Sequence, residues 1–184
     1  MSEDKHLLNR LRCGDTNALR RLYEKYRDDL FTVGLSLLHD ITASEDCLQD
    51  VFVTFASGIS TLDIRRNLKG YLVSCVVNRA RDYLRKKTPQ LDCPLEDLER
   101  LAVLTDPLEQ MIDSEKSRLI FLALAQVPYE QREVFVLHVH GDMKFRQIAD
   151  LQAVSIKTVQ SRYRYAIDKL RELLEKENTY EVRA

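Results

Sequence analysis

Chain breakers are scarce in this sequence: its 184 residues include only five glycines and four prolines. With apolar positions recurring every three or four residues, so little punctuation predicts an all-α protein. Cysteine is also sparse. Cys13, Cys47, Cys75 and Cys93 form no C-x-x-C pair and keep no regular spacing, which excludes a legible disulfide framework or zinc site and predicts free thiols in a reducing compartment. Nowhere do about 18 apolar residues run together, and Met1 to Arg12 lacks the apolar centre of a signal peptide. The expectation is a soluble, cytoplasmic protein without membrane insertion. Nucleophile elbow, P-loop, HExxH and paired-carboxylate patterns are all missing, so catalysis has no support and no cofactor is expected. His138 and His140 form an H-x-H pair, but on a helix their side chains diverge, and no acidic or cysteine partner stands at ligand spacing.

Apolar residues make up 45% of the chain and charged residues 31%, enough for packed cores under a soluble surface. The net charge of −1 conceals segregation. From Ser57 to Gln90, Arg65, Arg66, Lys69, Arg79, Arg81, Arg85, Lys86 and Lys87 stand against Asp63 and Asp82. From Leu91 to Glu115 the sign reverses, with Asp92, Glu96, Asp97, Glu99, Asp106, Glu109, Asp113 and Glu115 against Arg100 alone. The C-terminal stretch is basic again through Lys157, Arg162, Arg164, Lys169 and Arg171. Two polyanion-facing surfaces separated by an acidic connector follow from this pattern.

Helical spacing places a long amphipathic helix over Asn17–His39, interrupted at Asp40 to Ala43. Ser44 reads as the N-cap of a second helix, with Leu48, Val51, Phe52 and Phe55 on its inner stripe and Glu45, Asp46, Gln49 and Asp50 on the other face. Ser57 to about Asn67 reads as a loop. A third helix covers Leu68 to Lys87 and stops at Thr88-Pro89. Further helices are expected from about Ser114 to Gln126, Tyr129 to His140, Lys144 to Leu151, and Ile156 onward. The domains are then 1–88, an acidic linker 89–112, and 113–184.

The sharpest local signal is FRQIADLQAVSIKTVQSR, Phe145 to Arg162: a short helix, a tight turn and a second helix capped by Ser155, the parts of a helix-turn-helix. Ala149 permits a close crossing, and Ile148, Val154 and Val159 fill the junction. Lys157, Thr158, Gln160, Ser161, Arg162 and Arg164 are left outward, where cations hold phosphates and polar groups read base edges. The basic third helix would suit separated strands, although Tyr71 and Tyr83 fall close to its inner stripe and, taken alone, read as core residues. By spacing alone, the acidic face of the second helix is a solvated face.

Three stretches in this order resemble the sigma-70 family of RNA polymerase sigma factors, in particular the small two-domain extracytoplasmic-function type. SEDCLQDVFVTF (Ser44–Phe55) is similar to the family's polymerase-binding helix. YLVSCVVNRARDYLRKK (Tyr71–Lys87) is similar to the helix that meets the minus-ten promoter element, with Val77 where arginine is common and Tyr71 where tryptophan is usual. VPYEQREVFVL (Val127–Leu137) and the helix-turn-helix after it resemble the domain that reads the minus-thirty-five element. The resemblance implies that Asp46, Gln49, Asp50 and Phe52 dock on the coiled coil of the polymerase's largest subunit. It implies that Asn78, Arg79, Asp82, Arg85 and Lys86 line the minus-ten region, beside a loop that captures a flipped base of the non-template strand. Partners would be core RNA polymerase, promoter DNA as duplex and as non-template single strand, and an anti-sigma factor as a candidate inhibitor. In place of the family's usual L-G-[IV]-S turn this chain reads Gln152-Ala153-Val154-Ser155; a left-handed Ala153 would cost roughly 1 kcal/mol relative to glycine. The competing expectations are a duplex-binding regulator that works without polymerase and a helical adaptor.

Overall fold

The computed structural model describes residues 3–60, 62, 67–86 and 115–181, and all regular structure among them is helical. The helices are α1 (Glu3–Arg12), α2 (Thr16–Leu38), α3 (Ile41–Gly58), α4 (Leu68–Lys86), α5 (Glu115–Ala125), α6 (Tyr129–Val139), α7 (Phe145–Gln152) and α8 (Ile156–Glu181). They belong to two compact units, divided between Lys87 and Thr88. The acidic linker expected at 89–112 lies outside the described residues.

In the first unit α2 is the central element. The Asp15 carboxylate caps it by accepting from Asn17 N at 2.9 Å, and His39 ends it in the left-handed region at φ 51°, its N–H returning to Leu35 O. Along α2, Leu22, Leu30, Val33 and Leu37 are fully buried, as the spacing predicts. They meet Cys47, Leu48, Val51 and Phe55 of α3 and Leu72, Val73, Val76, Val77 and Ala80 of α4. The burial of Val77 places the residue at this position in the core.

Helix α1 was not foreseen. Its Leu7, Leu8 and Leu11 cover the apolar stripe, while Tyr26 OH donates to Asp4 and Lys25 pairs with Glu3 and Asp4. A second correction concerns Ser44. Helix α3 starts earlier, at Ile41, and its N-cap is Asp40, whose carboxylate accepts from Ala43 N at 3.0 Å. Ser44 is fully buried inside the first turn, its hydroxyl donating to Asp40 O. An aspartate preceding three small or β-branched residues is as good a cap as serine; Ser44 instead serves close packing.

The second unit packs α5, α6, α7 and α8 around Leu124, Val127, Val134, Leu137, Ile148, Val159, Ala166 and Leu170. Helix α7 closes in a Schellman turn: Val154 N–H donates to Ala149 O at 3.1 Å and Ala153 N–H to Asp150 O at 3.4 Å. Ala153 itself sits at φ 54°, ψ 41°, so the left-handed turn is present without glycine. Ser155 Oγ then accepts from Thr158 N at 3.0 Å and caps α8, as expected.

Candidate functional site

Three surfaces gather the residues singled out from the sequence. On α3, Asp46 and Gln49 are exposed and Asp50 is half-buried on one side of the helix. Val53, one turn on from Gln49 and Asp50, is 66% exposed and completes the stripe. The i, i+4 spacing from Gln49 could have revealed it. Phe52 does not belong to that stripe. It is buried, its ring edge-on to Tyr23 with centroids 4.9 Å apart and close to Phe55, because position 52 shares the inner face with Leu48, Val51 and Phe55. The inner-stripe position read from spacing is the one found, and the docking contact that the resemblance implies for Phe52 is corrected to a core role under the stripe.

On α4, Asn78, Arg79, Arg85 and Lys86 are exposed and Asp82 is half-buried. Two of the carboxylates already hold cations: Asp50 of α3 accepts from Arg79, and Asp82 pairs with Arg85 one turn along. The Asp50 carboxylate raises the Arg79 pKa, which keeps the guanidinium charged. Residues expected to face different partners are thus bonded to each other across α3 and α4. Both ends are about half exposed, so the bond contributes no more than about 1 kcal/mol.

The segment before α4 is tied down at both described ends. Arg12 of α1 donates to Leu62 O at 2.6 Å, and Asn67 caps α4 by accepting from Gly70 N at 2.9 Å. Helix α3 runs to Gly58, two residues into the loop expected from Ser57, and Arg65 and Arg66 lie outside the described residues. Tyr71 is half-buried against Phe55, and burial pushes its phenol up to about 12. Of the two alternatives for this ring, packing is the one realised. Lys69 pairs with Asp29 at 2.7 Å.

On α8, Lys157, Gln160 and Arg164 are exposed, and Thr158, Ser161 and Arg162 are half-buried. Thr158 hydroxyl bonds Ser155 Oγ at 2.8 Å, and Arg164 lies over the exposed ring of Tyr165, 5.3 Å from its centroid. Arg162 turns back to the end of α7, donating from Nη1 to Gln152 Oε1 at 3.1 Å. Gln152 Nε2 in turn donates to Glu133, a buried carboxylate of α6. Beside it, burial lowers the pKa of Arg132 to about 10, its guanidinium resting over the Tyr129 ring. His138 is engaged in packing: Nδ1–H donates to Met143 O at 2.7 Å, and the ring lies against Phe145 and Tyr163. Among the described residues, no group of three potential metal ligands comes together.

The comparisons with known proteins meet this geometry on both units. Residues 22–90 match the family described as Sigma-70 region 2, and residues 117–170 match Sigma-70, region 4. The chain is 24% identical over 179 residues to the ECF RNA polymerase sigma factor SigW of Bacillus subtilis, covering 92% of this chain and 96% of that one. It is 28% identical over 166 residues to the ECF RNA polymerase sigma factor SigX of the same organism, covering 85% and 84%. Among solved structures, CnrH in complex with the cytosolic domain of CnrY aligns with a TM-score of 0.66 at 23% identity, over 95% of this chain and 99% of that one. The sigma factor RpoE, in complex with the anti-sigma factor NepR from Bartonella quintana, aligns with a TM-score of 0.63 at 20% identity, over 85% and 96%. The structural likenesses show the fold.

Proposed function

Because this chain belongs to the sigma-70 family of RNA polymerase sigma factors, as one of the extracytoplasmic-function type, we propose a residue-level division of its work. The function itself follows from the family: the chain binds core RNA polymerase, recognises promoter DNA and promotes strand opening. In our reading Asp46, Gln49, Asp50 and the exposed Val53 dock on the coiled coil of the polymerase's largest subunit. The chemistry is that of an interface with an apolar centre and an acidic rim, suited to a basic partner helix. Phe52 and Tyr23 act beneath it by fixing the height and angle of α3.

Asn78, Arg79, Asp82, Arg85 and Lys86 line the upstream edge of the bubble, where cations meet the backbone of the separated strand. The stretch from Ser57 to Asn67 captures a flipped base of the non-template strand, so that binding offsets lost stacking. Helix α8 enters the major groove of the minus-thirty-five element, with Lys157 and Arg164 on phosphates and Gln160 and Ser161 at base edges. Arg162 flanks that face. The acidic linker threads through cationic channels of the polymerase in place of nucleic acid. The protein performs no catalysis itself, since binding free energy drives opening and the polymerase joins nucleotides. It acts in the cytoplasm, and an anti-sigma factor is its candidate inhibitor.

The observation that carries this reading is the placement of an acidic stripe on α3 and cationic faces on α4 and α8, in the order of the two matched regions. The test is gel filtration with core polymerase followed by sequencing of transcript starts made in vitro. Co-elution with starts downstream of a shared motif is expected. Site-specific DNA binding without polymerase association would overturn the reading.

A further inference from the structure

At the turn of the helix-turn-helix a polar side chain occupies the place where the family usually has leucine, and its contacts are specific. Gln152 ends α7, half-buried, between Glu133 of α6 and Arg162 of α8. A carboxylate can only accept and a guanidinium can only donate, so an amide can bridge them in one orientation alone. Its NH2 faces Glu133 and its oxygen faces Arg162, as found. Glu133 is 2% exposed and comes from the core of α6, so the first anchor of this chain of bonds is rigid.

Arg162 needs such an anchor. At about 100° per residue, Lys157, Ser161, Arg164 and Asp168 gather on one side of α8, whereas Arg162 lies ~140° around from Lys157, at the margin of the buried stripe. Left to itself, a long side chain there would sample many rotamers. The bond from Gln152 uses one of its five N–H donors and leaves the others of the planar fork for an acceptor on DNA.

We propose that Gln152 is a positioning residue for promoter recognition: bridging Glu133 to Arg162, it holds the guanidinium ready to bind the minus-thirty-five duplex. This rests on the reading of α8 given above. A leucine at 152 would fill similar volume but leave the guanidinium unheld, so the departure from the usual turn sequence has a function in this chain.

The test uses the full chain reconstituted with core polymerase, on a promoter mapped with the same holoenzyme. Affinity is measured over a range of salt for Gln152→Met, Arg162→Ala, the double variant and Lys157→Ala, with the melting temperature of each free chain. Gln152→Met keeps the volume and removes both hydrogen bonds. It is expected to weaken promoter binding about three- to tenfold, and to add nothing once Arg162 is alanine. Additive losses, or full affinity in Gln152→Met, would overturn the proposal. If Gln152→Met does not fold, Glu133→Gln replaces it: that change removes the charge to which the amide is anchored, and its effect must likewise vanish beside Arg162→Ala. A loss with Lys157→Ala but none with Arg162→Ala sinks the positioning role and leaves the α8 reading standing. If neither substitution matters, the α8 reading fails with it.

Discussion

At Ala153 the turn of the helix-turn-helix runs through φ 54°, where a β-carbon crowds the next carbonyl. Ala153 is exposed, so glycine there removes the crowding and deletes no packing. Ala153→Gly is expected to stabilise the C-terminal unit by about 1 kcal/mol and raise its Tm by a few degrees, read by calorimetry. An unchanged Tm would mean that the turn relaxes in solution. Cys47 offers a second check. Burial near Val76 O pushes its thiol up to about 12, while the unfolded thiol ionises near 9. Its contribution is intact below pH 9 and declines as pH rises from there towards 12, because only the unfolded state loses the proton. Urea midpoints should therefore fall with alkalinity, and fall less steeply in Cys47→Ala. Neither property was open to spacing arguments: one needs a backbone angle and the other a buried volume, although the left-handed turn was recognisable as a question once Ala153 stood in glycine's usual place.

Helix α3 shows how one element separates a surface from its support. Asp46→Ala, Gln49→Ala and Val53→Glu alter exposed positions and should leave Tm nearly unchanged while weakening association with core polymerase about tenfold or more. Phe52→Ala should do the reverse first, lowering the stability of the N-terminal unit by about 3 kcal/mol as a cavity opens beside Tyr23. Equal Tm losses in both sets would show that the stripe is structural. The inner stripe of α2 was legible because its apolar residues repeat at 3.6-residue spacing over five turns; that of α8 holds at Val159 and Leu170, while Ile156, expected to begin it, is exposed. Helix α1 was missed because ten residues give too short a period, even though Leu7, Leu8 and Leu11 with Gly14-Asp15 behind them mark a helix and its end. Spacing placed Phe52 on the inner stripe, where it is buried, while the resemblance set it among the docking positions, because a motif names positions without saying which side of the helix each one occupies.

For the molecule as a whole, a net charge of −1 would forecast weak attraction to DNA, yet α4 sets five cations against Asp82 alone, and the start of α8 carries Lys157, Arg162 and Arg164 with no acid among them. Holoenzyme binding to promoter duplex should therefore decline steeply with salt, and Lys157→Ala and Arg164→Ala should each reduce the slope of log K against log salt by about 1. A slope that neither substitution alters would remove both residues from the phosphate contacts. The two-unit organisation and the charge blocks could be read from the sequence because both are properties of long windows. The bonds of Asp50 to Arg79 and of Gln152 to Glu133 and Arg162 could not, since each joins residues of different helices. The first of these has a practical corollary for redesign. On the proposed division of roles, anyone retuning promoter choice through Arg79 also unbalances the carboxylate assigned to the polymerase, so positions 50 and 79 have to be varied jointly, as a single adjustable module.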